Sequence, residues 1–249
     1  MYHLILMNPD ISIIIPIRNE ASYIGETLAS FRAALDKSVL AHEIVIVDGA
    51  STDGSVGHCG LADNIIVENV NDRSSIARAR NIGGANSSGA LLFHTDADVR
   101  IAPGVDFFDR LMKIFGDPEI VAVTGRIIPY PWASRRVDRV WHAVGNHIIR
   151  RSHEAGVHFG RGEFQVVRAD VFTALGGYDD AITVGEDWDL FRRIARHGTI
   201  CYASELFVYH SPRRFAACGY GRTLLMYLRE FISLIIFKRS YLQEWKPVR

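Results

Sequence analysis

Two aspartates close an apolar run near the middle of the chain. The run 91–95 leads directly into Asp96, and Asp98 follows one residue later. Alternate side chains of a β-strand share a face, so a strand that continued through Ala97 would point both carboxylates the same way. Converging carboxylates suit Mg²⁺ or Mn²⁺, ions that usually keep waters and bind substrate phosphates. A polar turn after a strand is the alternative interpretation, because Asp is common in turns.

Polar side chains also follow two earlier runs of β-branched residues. Pro16 and Glu20 come after the first run, and Asp48 and Asp53 come after the second. If both runs are buried parallel strands, their carboxyl ends meet at one edge of a sheet, where ligands bind in open α/β sheets. Three polar clusters at one edge make a binding site more plausible than any one of them alone.

The elements that must position these clusters alternate along the chain, which is typical of βαβ units and a mostly parallel sheet. The predicted strands cover residues 11–15, 43–47, 64–68, 90–95, 120–124, 164–168, 200–203 and 206–209. The predicted helices cover residues 22–35, 74–85, 103–115, 169–175 and 185–197. Residues 125–165 are rich in Arg, Trp and His, and we expect a long binding loop or lid over the sheet edge there.

Composition excludes several classes of protein. The 249 residues carry 28 basic and 28 acidic side chains, so no global field attracts nucleic acid. Three widely spaced cysteines indicate free thiols in a reducing compartment. Residues 1–9 lack the features of a secretory signal, and no charge-free apolar run reaches the roughly 20 residues that span a bilayer. Neither a GxGxxG nor a GxxxxGK[ST] motif is present at the expected place, which argues against dinucleotide and P-loop sites.

The C-terminal segment 223–241 has apolar residues at helical spacing and several basic residues. The apolar positions are Leu224, Leu225, Leu228, Phe231, Ile232, Ile235 and Ile236. Such an amphipathic helix either packs on the domain or lies in a membrane interface.

Six short motifs, in their order along the chain, resemble family 2 glycosyltransferases, which are inverting enzymes of the GT-A fold. They are residues 13–20 (IIIPIRNE), 44–55 (IVIVDGASTDGS), 79–83 (ARNIG), 95–98 (TDAD), 176–179 (GGYD) and 185–190 (GEDWDL). The resemblance covers about residues 10–210, and the joint order of the motifs is more specific than any one of them.

The resemblance implies a donor site for a nucleotide-diphospho-sugar. Pro16 and Glu20 would help to form the nucleoside cradle, and Asp48 would accept a hydrogen bond from a ring N–H of uracil or guanine. Asp53 and Arg80 would also contact the nucleotide. An ordinary Asp-Gly turn remains the alternative for Asp53, and a solvated helix face the alternative for Arg80.

The resemblance also implies metal and catalytic residues. Asp96 and Asp98 would hold the ribose and Mn²⁺ or Mg²⁺, with His210 as a further metal or phosphate contact. Arg213 and Arg214 would stabilise the diphosphate, with surface charges as the alternative. Asp187 would be the general base that takes the proton of the acceptor hydroxyl, and Glu186 would orient it or contact the acceptor.

These inferences predict an α/β fold with a single GT-A (nucleotide-diphospho-sugar transferase) domain over residues 1–221. We expect a mostly parallel central sheet flanked by helices, a donor half near 10–124, an acceptor and catalytic half near 125–221, and an amphipathic helical tail at 222–249. The predicted activity is inverting, metal-dependent transfer, with a UDP-sugar favoured, to a hydroxyl of a glycan, a lipid-linked or a small-molecule acceptor. The expected location is cytoplasmic, with peripheral contact to the inner face of the cell membrane through residues 222–241.

Two other functions remain open at the level of sequence. A sugar-1-phosphate nucleotidyltransferase would usually carry a Gly-rich basic loop after the first strand, but residues 16–20 contain no glycine. A sugar- or lipid-binding module that lost its chemistry would have no need of Asp96, Asp98 and Asp187.

Overall fold

The computed structural model describes residues 9–69, 75–104, 106–237 and 242, and within them a mixed sheet lies between two layers of helices. The described strands are β1 (Ile11–Ile17), β2 (His42–Asp48), β3 (Asn64–Val67), β4 (Leu91–His94), β5 (Val99–Ile101), β6 (Ile120–Pro129), β7 (Gln165–Arg168) and β8 (Thr199–His210). The described helices are α1 (Ile24–Leu35), α2 (Ile76–Ala85), α3 (Phe107–Phe115), α4 (Arg136–Glu154), α5 (Ala169–Ala174), α6 (Glu186–Ile194), α7 (Arg213–Cys218) and α8 (Tyr220–Phe237).

The first half of the sheet is parallel, as its continuous apolar strands predict. Strand β1 lies between β2 and β4, and β3 extends the sheet beyond β2. The register sets Ile17 beside Asp48 and Ile14 beside His94. The carboxyl ends of β1, β2 and β4 therefore meet at one edge, where the polar clusters were expected.

The second half of the sheet is mixed. The strand order is β3-β2-β1-β4-β7-β6-β8-β5, with β7 antiparallel to both β4 and β6. Strand β5 is antiparallel to β8, whereas β6 and β8 are parallel. Among the strand pairs of the described residues, parallel pairs are thus the majority, but the sheet is not uniformly parallel.

Each face of the sheet has its own apolar core. Helices α1 and α3 cover one face, where Phe31, Phe93 and Phe108 pack together. Helices α2, α5 and α6 cover the other face. Gly83 allows α2 to lie close on β1, because a Cβ there would stand 2.4 Å from Cγ2 of Ile14.

Residues 136–154 form one helix of 19 residues where the sequence predicted a long loop. Its buried side chains, Asp138, His142 and His153, are polar, whereas a helix on a globular domain usually buries its apolar side chains. The side-chain amide of Asn146 donates to the carbonyl of Ile127 (2.9 Å) and accepts from its N–H (3.0 Å). Asn146 thereby satisfies backbone groups of β6 beyond the stretch that β7 pairs.

Three other boundaries differ from the sequence prediction. Strand β4 ends at His94, so Asp96 and Asp98 lie in the turn before β5 and not on one continuous strand. The two predicted strands after residue 199 are one strand, β8. Helix α8 begins at Tyr220, which places the predicted division at 221/222 inside a helix. Among the described residues, none of the helices combines the length and the hydropathy of a membrane span.

Candidate active site

A cavity of about 1470 Å³ opens at the carboxyl edge of the sheet. Its walls come from both halves of the domain, with α4 and α8 contributing Trp141, Leu224 and Tyr227. The predicted site residues that line it are Pro16, Glu20, Arg80, Asp96, Asp98, Glu186, Asp187, His210 and Arg213. The structure therefore brings together residues from nearly the whole length of the chain.

One guanidinium joins the donor half to the C-terminal half. Arg213 donates to both oxygens of Glu20 at 2.7 and 2.8 Å, and its Nε lies 2.7 Å from Oδ2 of Asp98. Its side chain also covers the ring of Tyr23, with 4.4 Å between the guanidinium carbon and the ring centroid. Burial raises the pKa of Glu20 despite this partner. Arg213 thus neutralises two carboxylates of the cavity.

Asp98 and His210 stand together as the core of the predicted metal site. Nε2 of His210 lies 3.5 Å from Oδ1 of Asp98. Burial would raise the pKa of Asp98, but His210 and Arg213 hold that pKa at about 2. Burial would likewise lower the pKa of His210, but Asp98 raises it. Asp98 is therefore ionised across the physiological range.

The donor set of this pair fits a divalent cation, although the predicted trio is not assembled as a ligand set. Nδ1 of His210, the ring nitrogen that does not contact Asp98, is buried and makes no hydrogen bond among the described residues, although Oε1 of Glu163 lies 3.5 Å away. A carboxylate beside an imidazole suits Mn²⁺. Asp96, however, accepts a hydrogen bond from Arg80, and no group of three His, Cys, Asp or Glu side chains in the described ranges has metal-binding geometry. Asp98 and His210 are the residues that would hold the ion.

Arg80 is buried beneath the cavity, and this excludes the solvated helix face considered from sequence. Only 1% of its surface is exposed. Its Nη1 donates to Glu186 (2.9 Å), and its Nη2 donates to Asp96 (2.7 Å) and to the carbonyl of Gly162 (3.0 Å). A Cβ on Gly162 would lie 2.7 Å from that Nη2, so glycine leaves the space for this contact. Arg80 orients two acids of the cavity through Nη1 and Nη2, whereas its buried Nε has no hydrogen-bond partner among the described residues.

Asp187 and Glu186 occupy the first turn of α6, as the sequence predicted. Gly185 precedes them at a φ of +84°, in the left-handed region that glycine tolerates. Burial and the neighbouring carboxylate of Glu186 raise the pKa of Asp187 well above its ordinary value, while Arg80 opposes the rise. Burial also raises the pKa of Glu186. A carboxylate with a raised pKa is the better proton acceptor, which is what a general base requires.

Asp48 and Asp53 differ in burial and in the hydrogen-bond partners of their carboxylates. Asp48 is 1% exposed at the end of β2; its Oδ2 accepts from the N–H of Ser51 (3.0 Å), and its Oδ1 has no partner among the described residues. An unsatisfied buried acceptor fits a site for a ring N–H. Asp53 is exposed and accepts from the N–H groups of Ala21 (3.1 Å) and Ser55 (3.0 Å), and neither aspartate is among the residues that line the cavity. These hydrogen bonds give Asp53 a role in joining the loops that follow β1 and β2, and its contact with a nucleotide stays a prediction.

Glu163 is the main cavity residue that sequence reasoning did not assign. Its Oε1 lies 3.5 Å from Nδ1 of His210 and 3.8 Å from Nη2 of Arg161. Burial would raise the pKa of Glu163, but Arg161 and His210 lower it. Glu163 lies in the stretch 125–165 that the sequence predicted to be a binding loop or lid, and that prediction was the available signal. Trp188 also lines the cavity without having been assigned, and Arg214, considered with Arg213 for the diphosphate, lines it as well.

Comparison with protein families and curated proteins gives a consistent result. The family model described as "Glycosyl transferase family 2" matches residues 12–176, more than half of the chain. The succinoglycan biosynthesis protein ExoU of Rhizobium meliloti (strain 1021) is 29% identical over 206 residues, which are 76% of this chain and 58% of that protein. The O-antigen chain rhamnosyltransferase RfbN of Salmonella typhimurium (strain LT2) is 24% identical over 212 residues, 81% of this chain and 66% of that protein. The chain thus spans less than two thirds of the length of these relatives.

Solved structures share the fold at low sequence identity. A mannosyltransferase of Pyrobaculum calidifontis, solved with GDP-Man and Mn²⁺, superposes with a TM-score of 0.63 at 21% identity over 83% of this chain and 58% of that one. Glucosyl-3-phosphoglycerate synthase of Mycobacterium tuberculosis, solved with Mn²⁺, UDP and glucosyl-3-phosphoglycerate, gives a TM-score of 0.62 at 16% identity. The match covers 93% of this chain and 80% of that one. Together, the family match and these neighbours show that the chain belongs to glycosyl transferase family 2 and has the GT-A fold.

Proposed function

We propose that this chain transfers a sugar from a nucleotide-diphospho-sugar to an acceptor hydroxyl, with inversion at the anomeric carbon. The observation that carries the proposal is the single cavity in which Asp187, with its raised pKa, lies with the Asp98–His210 pair and with Arg213. Such a cavity provides a base for the acceptor and positive charge for a leaving diphosphate. Solved neighbours that hold GDP-Man or UDP, each with Mn²⁺, support this assignment.

Asp187 takes the proton of the acceptor hydroxyl as that oxygen attacks the anomeric carbon, in one displacement without a covalent enzyme intermediate. Glu186 positions this base or contacts the acceptor. Asp98 and His210 would hold Mn²⁺ or Mg²⁺, and an ion bound there would supply positive charge beside the departing diphosphate. Arg213, once released from Glu20 and Asp98, donates to the same phosphate oxygens.

Asp48 reads the nucleobase through its free Oδ1, and Pro16 and Glu20 belong to the wall near the nucleoside. Uracil and guanine both offer a ring N–H to a carboxylate, and we favour a UDP-sugar. The relatives named for succinoglycan and O-antigen synthesis support a glycan or lipid-linked acceptor. We place the enzyme in the cytoplasm, with peripheral contact to the inner face of the cell membrane through residues 222–241, of which 238–241 lie outside the described residues.

A thermal-shift titration tests the donor site. UDP-, GDP- and dTDP-sugars are added with and without Mn²⁺, and one nucleotide should raise the melting temperature by mass action, more so with Mn²⁺. Asp48→Asn should lose the preference among bases, whereas Asp53→Asn serves as the matched loop control and should keep it. If no nucleotide shifts the wild type, the proposed donor site is wrong.

A sugar-1-phosphate nucleotidyltransferase is the second candidate on a related fold. It would release diphosphate from a nucleoside triphosphate in the presence of a sugar 1-phosphate, whereas the proposed enzyme would release a nucleoside diphosphate from a nucleotide-sugar. The glycine-free loop at residues 16–20 argues against the former. Product analysis by ion-exchange chromatography separates the two reactions.

A further inference from the structure

Helix α4 directs its apolar side chains away from the domain. The side chains it buries are Asp138, His142 and His153. Those it exposes, between 45% and 62%, share one face of the helix: Val137, Val140, Val144 and Ile148. An ordinary helix on a globular domain buries its apolar side, so this arrangement is reversed.

Helix α8 shows the same reversal. Thr223, Glu230 and Ser233 are buried at 1%, 0% and 8% exposure. The apolar side chains that remain between 45% and 55% exposed are Leu224, Leu225, Leu228 and Ile232. The apolar stripe predicted for the tail is therefore not packed on the domain over these residues; the side chains of 231 and 234–237 lie outside the described residues.

The two helices form one surface. Trp141 of α4 lies 5.4 Å from the ring of Tyr220 at the start of α8 and 5.4 Å from the ring of Phe215 in α7. We call the eight exposed apolar residues of α4 and α8 the helix-pair surface. Three of its members, Val144, Ile148 and Leu224, also line the cavity. Because these three are about half exposed, the surface begins at the cavity opening and continues outward.

The border of the helix-pair surface is basic. The exposed arginines of these helices include Arg136, Arg139, Arg150, Arg151 and Arg222. The acids Asp138 and Glu230 are buried, and the exposed acid Glu154 is paired with Arg150 and Arg151. The whole chain has a net charge of zero, so this side concentrates positive charge. A second copy of the chain would set two basic borders against each other, which like-charge repulsion disfavours.

We propose that the helix-pair surface rests on an anionic lipid bilayer, with its valine and leucine side chains among the acyl chains and its arginines at the headgroups. The cavity then opens at the membrane surface, where an acceptor anchored in the bilayer can reach Asp187. This inference deepens the proposed membrane contact of the tail, on which it rests, by adding α4 as an equal part of the contact.

Vesicle flotation tests the proposal with residues that lie on the helix-pair surface but do not line the cavity. The full chain is mixed with vesicles of phosphatidylglycerol and phosphatidylcholine, or of phosphatidylcholine alone. Wild type should float with the anionic vesicles and lose binding as salt is raised. Val137→Ser/Val140→Ser in α4 and Leu225→Ser/Leu228→Ser in α8 should each lower the bound-to-free ratio by roughly tenfold or more, because apolar area leaves the lipid.

The matched control is Val39→Ser/Val67→Ser, which changes two valines that are 100% and 58% exposed elsewhere and should float like wild type. Wild type that does not float, an α4 variant that floats like wild type, or an equal loss in the control would each overturn the proposal. A dimer in solution that the α4 variant dissociates, without vesicle binding, would identify a second copy as the occupant and also overturn it.

The same variants separate this proposal from the proposed reaction. Melting temperatures check that each variant is folded, and the nucleotide-dependent thermal shift should equal that of wild type. A protein that floats but shows no nucleotide shift would refute the donor site and leave the membrane contact standing.

Discussion

At the scale of single residues, Arg80 shows how one buried cation organises the acids of the cavity. Replacing it with methionine keeps much of its volume but leaves Asp96 and Glu186 without their shared donor. Breaking a buried pair in this way costs roughly 3–5 kcal/mol. We expect Arg80→Met to lose about that much unfolding free energy in urea and to lose most of its transfer rate.

Arg80→Lys is the informative companion variant. It retains the charge but cannot donate to both carboxylates in the same forked geometry. It should recover part of the stability and little of the rate. A methionine variant as stable and active as wild type would show that Arg80 does not position these acids.

Asp187 gives the direct test of the chemistry. Asp187→Asn removes the base with little change in shape, and we expect kcat for transfer to fall about 10²- to 10⁴-fold. The nucleotide-dependent thermal shift should persist, because Asp187 is assigned to the acceptor. Unchanged transfer by this variant would refute the assignment.

The raised pKa of Asp187 also predicts the shape of the pH profile. The base must be ionised, so kcat should fall as the pH drops through a pKa above the ordinary Asp value of 3.8. Stopped-time assays of wild type across acidic pH measure this fall in kcat. In Asp187→Asn the residual rate should not show the same fall with decreasing pH.

The sequence predicts the positions of residues at the ends of strands and helices better than it predicts the surroundings of residues whose partners are distant in the chain. Asp96, Asp98 and Asp187 follow or begin regular elements, and the edge rule of open α/β sheets brings such ends together. The burial of Arg80 depends on partners 16 and 106 residues away, which no local pattern reveals. For Asp53 the sequence does not distinguish a carboxylate that joins two loops from one that binds a ligand, because both follow the same Asp-Gly turn pattern.

At the scale of elements, two helical glycines should respond in opposite ways to the same substitution. Gly83→Ala places a Cβ 2.4 Å from Ile14 and should destabilise by about 1–3 kcal/mol. Gly145→Ala in α4 meets nothing within 4 Å and should stabilise by up to about 1 kcal/mol through helix propensity. Urea unfolding of both variants measures the difference, and equal effects would contradict the close packing of α2 on β1.

Strands β1 and β2 were predictable because a parallel strand buried on both faces is a continuous apolar run. Helix α4 was not, because its apolar positions are exposed and its buried ones are Asp138, His142 and His153. A pattern that assumes an apolar interior misreads such a helix as a polar loop. The mixed half of the sheet also escaped prediction, because strand direction depends on partners that are distant in sequence, such as β4 and β7.

At the scale of the whole molecule, His142 links folding stability to pH. Burial and the nearby His210 lower its pKa from 6.5 to about 4 in the folded state. The unfolded chain therefore binds more protons between these values, and stability present above pH 6.5 is lost as the pH falls towards 4. The loss from this group is up to about 3 kcal/mol.

His142→Gln should remove that part of the acid dependence, measured as urea midpoints at several pH values. His210 has a raised pKa and acts in the opposite direction. Because the two imidazoles interact, the difference between variant and wild type reports His142 together with its coupling to His210. If the urea midpoints of the two proteins changed with pH in the same way, a buried neutral His142 would be contradicted.

The clasp that Arg213 makes with Glu20 and Asp98 has a consequence for the order of ligand entry. A divalent ion approaching Asp98 competes with a cation already in place, and so the ion alone should bind weakly. A pyrophosphate offers the guanidinium another anion, which vacates Asp98 for the ion. By thermodynamic reciprocity each ligand should then tighten the other by the same factor, so calorimetric Mn²⁺ affinity should increase when a nucleoside diphosphate is present and not when the bare nucleoside is.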